Sequence, residues 1–172
     1  MNDVVGHSAV VKQSEKTICV ATPSLGAITE TFITNHILSL PFRTCLLHGE
    51  FLQYDGNNRA IAHKVTYRLI DRVLSSLMLS DESPLLVRRQ MQFLRRERIV
   101  AVLAEYGPTG VRIMPACRRA GVPLIVHFHG YDAYMSSVLE ANKAKYKELF
   151  ECVRAIVAVS RDMEEQLGYV QN

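Results

Sequence analysis

Apolar positions along this chain fall into short continuous runs, separated by segments in which apolar residues recur every three to four positions. The runs are residues 17–22, 42–47, 99–103, 123–128 and 155–159, and most are bounded by turn-forming residues. Continuous apolar runs of this length are typical of strands that helices cover on both faces. The alternation predicts an α/β domain with a doubly wound, mostly parallel sheet.

Capping residues predict where the helices begin and end. Ser83 followed by Pro84 indicates a helix start, because serine caps the first amides and proline fits the first turn. Thr109 is predicted to cap another helix, which Gly121 closes. The remaining predicted helices span 30–40 after Thr29, 61–77, 135–150, and a short segment from Ser160 to about Gly168.

The bulk composition indicates one folded domain. Hydrophobic residues make up 48% of the chain, enough for a single sizeable core. Residues 1–16 are polar and aperiodic and are predicted to form a flexible tail, so the domain itself is predicted to span 17–172. No signal peptide and no run long enough to span a bilayer is visible, which favours a cytoplasmic protein.

Positive charge is concentrated in one part of the sequence. The net charge is +3, but residues 59–119 hold twelve Lys or Arg against five Asp or Glu. Such a patch favours an anionic partner, although a solvated helix surface explains it equally well. The candidates for an anion-binding or membrane-binding patch are Arg88, Arg89, Arg95, Arg96 and Arg98.

Several common catalytic signatures are missing. There is no GxGxxG, no P-loop and no GxSxG motif, which disfavours dinucleotide binding and serine hydrolysis. The four cysteines are widely spaced and form no CxxC pair, so we expect reduced, buried packing residues rather than a zinc or redox centre. The arginines lack interleaved aromatic residues and no nucleic-acid motif is present, so no nucleic-acid partner is expected.

Ligands of a doubly wound sheet bind at the carboxyl ends of its strands, and three loops at those ends are candidate binding segments. Residues 23–31 join a strand to a helix around Gly26, whose backbone would admit a phosphate or a sugar hydroxyl. Residues 105–110 form a tight turn with two glycines. Each of these two loops is explained equally well as an ordinary turn between a strand and a helix that binds no ligand.

The third loop, residues 127–132, reads His-Phe-His-Gly-Tyr-Asp and is the most informative. His127 and His129 are two positions apart on a strand and therefore point to the same face, as metal ligands would. A metal site is disfavoured, because the sequence shows no partner motif for a third and fourth ligand. His129 is expected to face a cleft, and Asp132 either caps the following helix or contacts substrate.

Four stretches together resemble a known family. They are Glu30-Thr31-Phe32-Ile33 at a helix start, the Glu-Tyr-Gly-Pro-Thr-Gly turn at 105–110, residues 120–132 with His-Gly-Tyr-Asp, and 156–163 followed by Leu167-Gly168. In this order, over residues 18–168, the chain resembles the N-terminal domain of group 1 (family 4) retaining glycosyltransferases. The resemblance implies a Rossmann-like domain, the N-terminal half of a GT-B fold.

The resemblance also implies an activity and a site. The complete enzyme would transfer a sugar from a nucleotide-sugar donor to an acceptor, in glycan, polysaccharide or lipopolysaccharide synthesis, without a metal or other cofactor. His129 would contact the transferred sugar as the catalytic-site residue. The substrate-binding candidates are Gly26, Ala27, Glu30, Tyr106, Gly107, Thr109 and Asp132. Ile28 stands where the family often has serine, so no hydroxyl contact is expected there.

The same resemblance implies partners. A C-terminal domain would bind the donor, and since the chain ends at Asn172 the fragment alone is expected to be inactive. A lipid-linked or glycan acceptor would bind this half, and the arginine-rich helix would rest on the inner face of an anionic membrane. The alternative is a stand-alone, flavodoxin-like binding module without catalysis.

Overall fold

The computed structural model describes residues 14–24, 31–50, 52–57, 59–61 and 83–171. Within these ranges a six-stranded sheet has the order β3-β2-β1-β4-β5-β6, with β3 antiparallel to β2 and every other pairing parallel. The strands are β1 Ser14–Thr22, β2 Phe42–His48, β3 Tyr54–Asp55, β4 Ile99–Glu105, β5 Leu124–His127 and β6 Ala155–Val157. This confirms the predicted doubly wound, mostly parallel sheet.

Helices connect and cover the strands. They are α1 Thr31–Ser39, α2 Pro84–Arg96, α3 Gly107–Ala120, α4 Gly130–Tyr134, α5 Ser136–Cys152 and α6 Arg161–Gln171. None of the helices in the described ranges combines the length and apolarity needed to cross a bilayer. The predicted helix at 61–77 lies outside the described residues apart from Ile61.

Two predicted caps are confirmed. The Ser83 hydroxyl accepts the Leu86 amide at 3.2 Å, and Gly121 ends α3 in the left-handed region at φ 71°. The predicted cap at Thr109 is wrong, because α3 already begins at Gly107 with Tyr106 as its N-cap. At α6, Ser160 accepts the Met163 amide as predicted, but the helix continues past Gly168 to Gln171.

Other element boundaries differ from the sequence-based ones by a few residues. β1 begins at Ser14, so residues 14–16, which the sequence assigned to the tail, belong to the strand; Ser14 pairs with Phe42, and a register irregularity separates it from Thr17. β4 extends to Glu105, two residues past the apolar run. The short strand β3 is marked by no apolar run in the sequence.

The core lies on both faces of the central strands. Cys19, Val20 and Ala21 of β1 are fully buried, as is Phe128 just after β5. Phe128 meets the Tyr146 ring of α5 edge-on, with centroids 5.4 Å apart. The burial prediction for the cysteines holds for Cys19 and Cys117, whereas Cys45 is half-buried and Cys152 is exposed. All four thiols are free, as expected.

The strand order creates a crevice at one edge of the sheet. β1 pairs with β2 on one side and with β4 on the other, so the chain direction of the crossovers reverses between β1 and β4. Ligands of doubly wound sheets bind at this topological switch point, outside the carboxyl ends of the strands. Thr22 and Glu105 occupy those two ends and therefore lie at the edge of this crevice.

Candidate functional site

Three histidines surround one carboxylate at the switch point. Glu105 at the end of β4 accepts hydrogen bonds from His36 Nδ1 at 2.9 Å, His127 Nδ1 at 3.1 Å and His129 Nε2 at 3.0 Å. The Glu105 side chain is fully buried, while those of His36, His127 and His129 are 36%, 11% and 14% exposed. We refer to these four residues as the His–Glu cluster.

Local structure explains why these side chains meet. Glu105 and His127 are direct register partners on the parallel strands β4 and β5, so their side chains project from the same face. His129 follows His127 by two positions and reaches the same side, as the spacing predicted. The His127 and His129 rings lie 4.2 Å apart between centroids, and His36 of α1 completes the group 5.1 Å from His127.

The histidines keep the buried carboxylate ionised. Burial alone would raise the pKa of Glu105, but hydrogen bonds from His127, His129 and His36 outweigh that effect and lower its pKa to about 2. A carboxylate accepts hydrogen bonds and donates none, so each facing ring nitrogen carries a proton. The cluster therefore holds a fixed negative charge and three oriented imidazole rings at the edge of the crevice.

Asp132 fixes the backbone around the cluster. It is fully buried, and its two carboxylate oxygens accept the backbone amides of Gly107 and of His129, the latter at 2.7 Å. Burial raises the pKa of Asp132, and these two amide hydrogen bonds partly offset that rise. Of the two roles open for Asp132, this geometry supports the capping role: it ties the start of α3 to the start of α4.

Tyr106 adopts a backbone conformation that is rare for a residue with a side chain. Its φ of 76° and ψ of 142° place it outside the common regions, and its amide donates to the His127 carbonyl at 2.9 Å. Such strain, roughly 1–3 kcal/mol, persists where the surrounding structure requires it. Here it turns the chain from β4 directly into α3 and brings the Tyr106 ring to 4.7 Å from the His129 ring.

The other sequence-predicted site residues divide into two groups. Gly107 and Thr109 are buried in the first turn of α3, Thr109 with 2% of its surface exposed. Gly26, Ala27 and Glu30 lie outside the described residues. The structure brings the rings of Tyr106 and His129 together, and Gly107 follows Tyr106 as the first residue of α3.

The arginines of the predicted anion-binding patch are exposed to solvent. Arg88, Arg89, Arg95 and Arg96 are exposed on α2, and Arg98 is exposed in the turn after it at φ 52°. Leu86, Phe93 and Leu94 of the same helix are buried in the core. Charge rather than apolar insertion is thus what this surface offers to a partner.

A second concave feature lies beside the edge strand β6. It is a groove of about 860 Å³ whose lining includes Phe150, Ile156, Val159, Arg161 and Leu167. None of the four cluster residues lines it. Its lining also includes Ser160 and Glu164. The His–Glu cluster brings four titratable side chains into direct contact and is therefore the stronger candidate for chemistry.

Sequence reasoning missed Glu105 and His36 as site residues. The apolar run of β4 ended before Glu105, and His36 lies within the helix predicted at 30–40. The histidines bound to Glu105 stand 22 to 69 positions away in sequence. Strand register brings His127 to Glu105, and the packing of α1 brings His36 to it. Within the described residues, His36, Glu105 and His127 also place potential metal-ligand atoms within 4.8 Å of one another.

Comparison with protein families gives one match. The family model described as Glycosyltransferase Family 4 matches residues 47–169, which is well over half of the chain. The matched region contains Glu105, His127, His129 and Asp132. A search of curated proteins found no match.

Proposed function

This chain belongs to glycosyltransferase family 4 as an N-terminal domain of the GT-B type, and from this premise we propose that it forms the acceptor side of an enzyme that transfers a sugar from a nucleotide-sugar donor with retention of anomeric configuration. The observation that carries the proposal is the position of His129. It lies at the carboxyl end of the sheet beside the switch point, inside the matched region, with its ring held by Glu105.

Glycosyl transfer depends mainly on positioning and on groups that meet developing charge. Two hydrogen bonds hold His129 in place: Asp132 accepts its backbone N–H, and Glu105 accepts its ring N–H. We propose that the ring contacts a hydroxyl of the transferred sugar. Tyr106, which packs against His129, shapes the acceptor side, and Gly107 and Thr109 build the turn that supports it.

The loop around Gly26 is proposed to face the donor. By resemblance to the family, Gly26, Ala27 and Glu30 meet the donor phosphates or the transferred sugar at the start of α1. Backbone amides at a helix start favour such anionic groups. The His–Glu cluster supports this arrangement, because His36 of α1 is bonded to Glu105 and thereby anchors the helix that follows the loop.

A donor-binding second domain is proposed to complete the enzyme. Exposed apolar side chains support this: Tyr131 and Met135 near the cluster are 55% and 47% exposed, and Val159 after β6 is 59% exposed. Apolar groups clustered at one end of a sheet are typical of a surface that another domain covers. Without that domain, we expect this half to bind acceptor but not to transfer sugar.

The acceptor is proposed to be a glycan or a lipid-linked glycan at the cytoplasmic face of an anionic membrane. The exposed arginines of α2 and Arg98 support membrane contact through charge. Co-sedimentation with vesicles of anionic or neutral phospholipid tests this part separately. Binding that requires anionic lipid and weakens when Arg88 and Arg89 become Gln supports it, and equal binding to both vesicles contradicts it.

The transfer activity itself is tested on the two-domain protein. UDP- and GDP-linked sugars are supplied singly, and release of the nucleoside diphosphate is followed with and without a lipid-linked acceptor. The proposal expects acceptor-dependent release from at least one donor and its strong reduction in His129→Ala, with circular dichroism showing retained fold. Full activity in a folded His129→Ala protein would remove His129 from the site.

A further inference from the structure

The backbone of Tyr106 is strained, although its side chain is not needed to hold that backbone in place. Its φ of 76° and ψ of 142° lie where glycine is readily accommodated and a residue with a Cβ atom is rare. Its N–H donates to the His127 carbonyl at 2.9 Å, and its C=O accepts the Gly110 N–H at 3.0 Å. Both hydrogen bonds use backbone atoms alone, so Tyr106→Gly would keep them and remove the strain.

The ring of Tyr106 stands beside the candidate site. Tyr106 is half-buried, whereas Glu105 and Gly107 on either side of it are buried. The ring contacts that of His129, with centroids 4.7 Å apart and planes tilted by 55°. The residue follows the last position of β4, so its accessible part lies at the carboxyl edge of the sheet, where ligands of doubly wound sheets bind.

Strain and position together indicate that this side chain contacts a ligand. Residues held in sparsely populated backbone regions lower the stability of a fold, and they cluster at sites that bind ligands. We propose that Tyr106 binds the acceptor by stacking its ring on the apolar face of a pyranose sugar. This inference rests on the proposed function, since it names the chemical group by which the acceptor side recognises its substrate.

The polarity of a pyranose ring matches the face of an aromatic ring. The hydroxyl groups of a hexose lie mostly around its rim, so a face of the sugar presents C–H groups whose hydrogens carry partial positive charge. The face of an aromatic ring is the negative part of its quadrupole and attracts such hydrogens. Ligand sites combine aromatic surfaces of this kind with a few polar groups that fix orientation.

The position of Tyr106 next to His129 suits the acceptor rather than the donor. In the proposed function His129 contacts the transferred sugar, and a sugar stacked on Tyr106 would lie directly beside it. Asp132 accepts the backbone N–H groups of Gly107 and His129, which fixes the chain next to Tyr106 relative to His129. The two sugars would therefore be held side by side, and such positioning contributes strongly to the rate of transfer.

Sugar binding is measured on this chain, without a donor. Methyl glycosides of glucose, galactose and mannose are added singly, and saturation-transfer NMR identifies the ligand protons that contact the protein. The proposal expects contact mainly through the C–H protons of one pyranose face for at least one glycoside. Tyr106→Ala should weaken binding of that glycoside at least about fivefold, whereas Tyr106→Phe keeps the ring and should bind as the wild type does.

Tyr106→Gly separates the strain from the ring. Like Tyr106→Ala it lacks the ring, but it also relieves the backbone. Tyr106→Gly should therefore unfold at least about 2 °C above Tyr106→Ala, while both lose glycoside binding. The matched control is Tyr54→Ala on β3, which lies three strands from β4 in the described sheet and should leave glycoside binding unchanged.

Kinetics of the proposed two-domain protein distinguish this inference from the function on which it rests. Tyr106→Ala should raise the KM for the acceptor and leave the KM for the nucleotide sugar unchanged. Transfer with an unchanged acceptor KM in Tyr106→Ala would overturn the stacking and leave the proposed function standing. Glycoside binding that depends on Tyr106, without transfer from any donor, would support the sugar contact and contradict the proposed function.

Three results on the chain alone would also overturn the inference. They are the absence of glycoside binding by the folded wild-type chain, equal binding by wild type and Tyr106→Ala, and equal thermal stability of Tyr106→Gly and Tyr106→Ala. The first two would remove the sugar contact, and the third would show that Tyr106 carries no strain that a ligand contact has to explain.

Discussion

Glu105 and His127 are register partners on adjacent parallel strands, and the Oε2 atom of Glu105 accepts the Nδ1–H of His127 at 3.1 Å. This contact ties the ends of β4 and β5 at the point where a ligand of the sheet would bind. It also makes Glu105 the shared acceptor of three histidines. Disturbing that one carboxylate is therefore expected to affect both the stability and the function of the domain.

Glu105→Gln should destabilise the domain by about 1–3 kcal/mol. The amide offers one acceptor oxygen in place of two, so at least one buried imidazole N–H is left facing an NH₂ group. Chemical denaturation measures the loss. The matched control is Glu50→Gln, at an exposed carboxylate, which should change stability by less than about 0.5 kcal/mol. Equal stability of the two variants would contradict the role given to the cluster.

Gly107→Ala should destabilise the domain by about 1–3 kcal/mol through overpacking. A Cβ atom there would stand 2.6 Å from the Tyr146 hydroxyl and 2.7 Å from Cζ of Phe128, both rigidly held in the core. Gly168→Ala in α6 is the matched control, because its Cβ meets nothing within 4 Å. The control should be neutral or gain up to about 1 kcal/mol from helix propensity. Thermal unfolding measures the stability of both variants. A loss in Gly107→Ala without a loss in Gly168→Ala assigns the effect to overpacking at Gly107.

Asp132→Asn should lower stability by about 1–3 kcal/mol, since one of the two amides that Asp132 accepts then faces an NH₂ group instead of an oxygen. Hydrogen exchange should locate the effect at the starts of α3 and α4, with faster exchange of the Gly107 and His129 amides. Unchanged protection of both amides would show that Asp132 is not their cap. An exposed carboxylate on α6, Glu165, provides the comparison as Glu165→Gln.

Cys152 should react first with a thiol reagent under native conditions, and Cys19 and Cys117 only after unfolding. Cys152 is exposed, whereas the other two are buried. Burial raises the pKa of Cys117 to about 12, which suppresses its reactive thiolate further. Cys152→Ser should remove the fastest phase of labelling while leaving the total after denaturation one thiol lower. A fast phase that persists in this variant would place another thiol at the surface.

Local signals in the sequence predicted several helix boundaries and most of the strands. Ser83 and Gly121 were recognised as helix boundaries because their chemistry acts on neighbouring backbone groups. The common side of His127 and His129 followed from the two-residue period of a strand. The continuous apolar runs indicated parallel strands, because helices on both faces leave no polar side.

The parts that escaped prediction depend on contacts between distant positions. Thr109 has the right chemistry for a helix cap, but Asp132 accepts the Gly107 amide from 25 residues away, so α3 begins earlier. Glu105 is a charged residue that is buried at the end of β4. A buried carboxylate is not expected from the sequence alone, because its three histidine partners are known only from the structure. The pairing of Glu105 with His127 required the register of two strands.

The most direct test of the account is sugar transfer by the proposed two-domain enzyme carrying His129→Ala, compared with Glu165→Gln as a control far from the cluster in sequence. Turnover of a nucleotide sugar is measured with acceptor present, and kcat and KM are determined separately. The account predicts a fall in kcat of at least about a hundredfold for His129→Ala, with wild-type values for the control. Wild-type kcat and KM in a folded His129→Ala enzyme would contradict it.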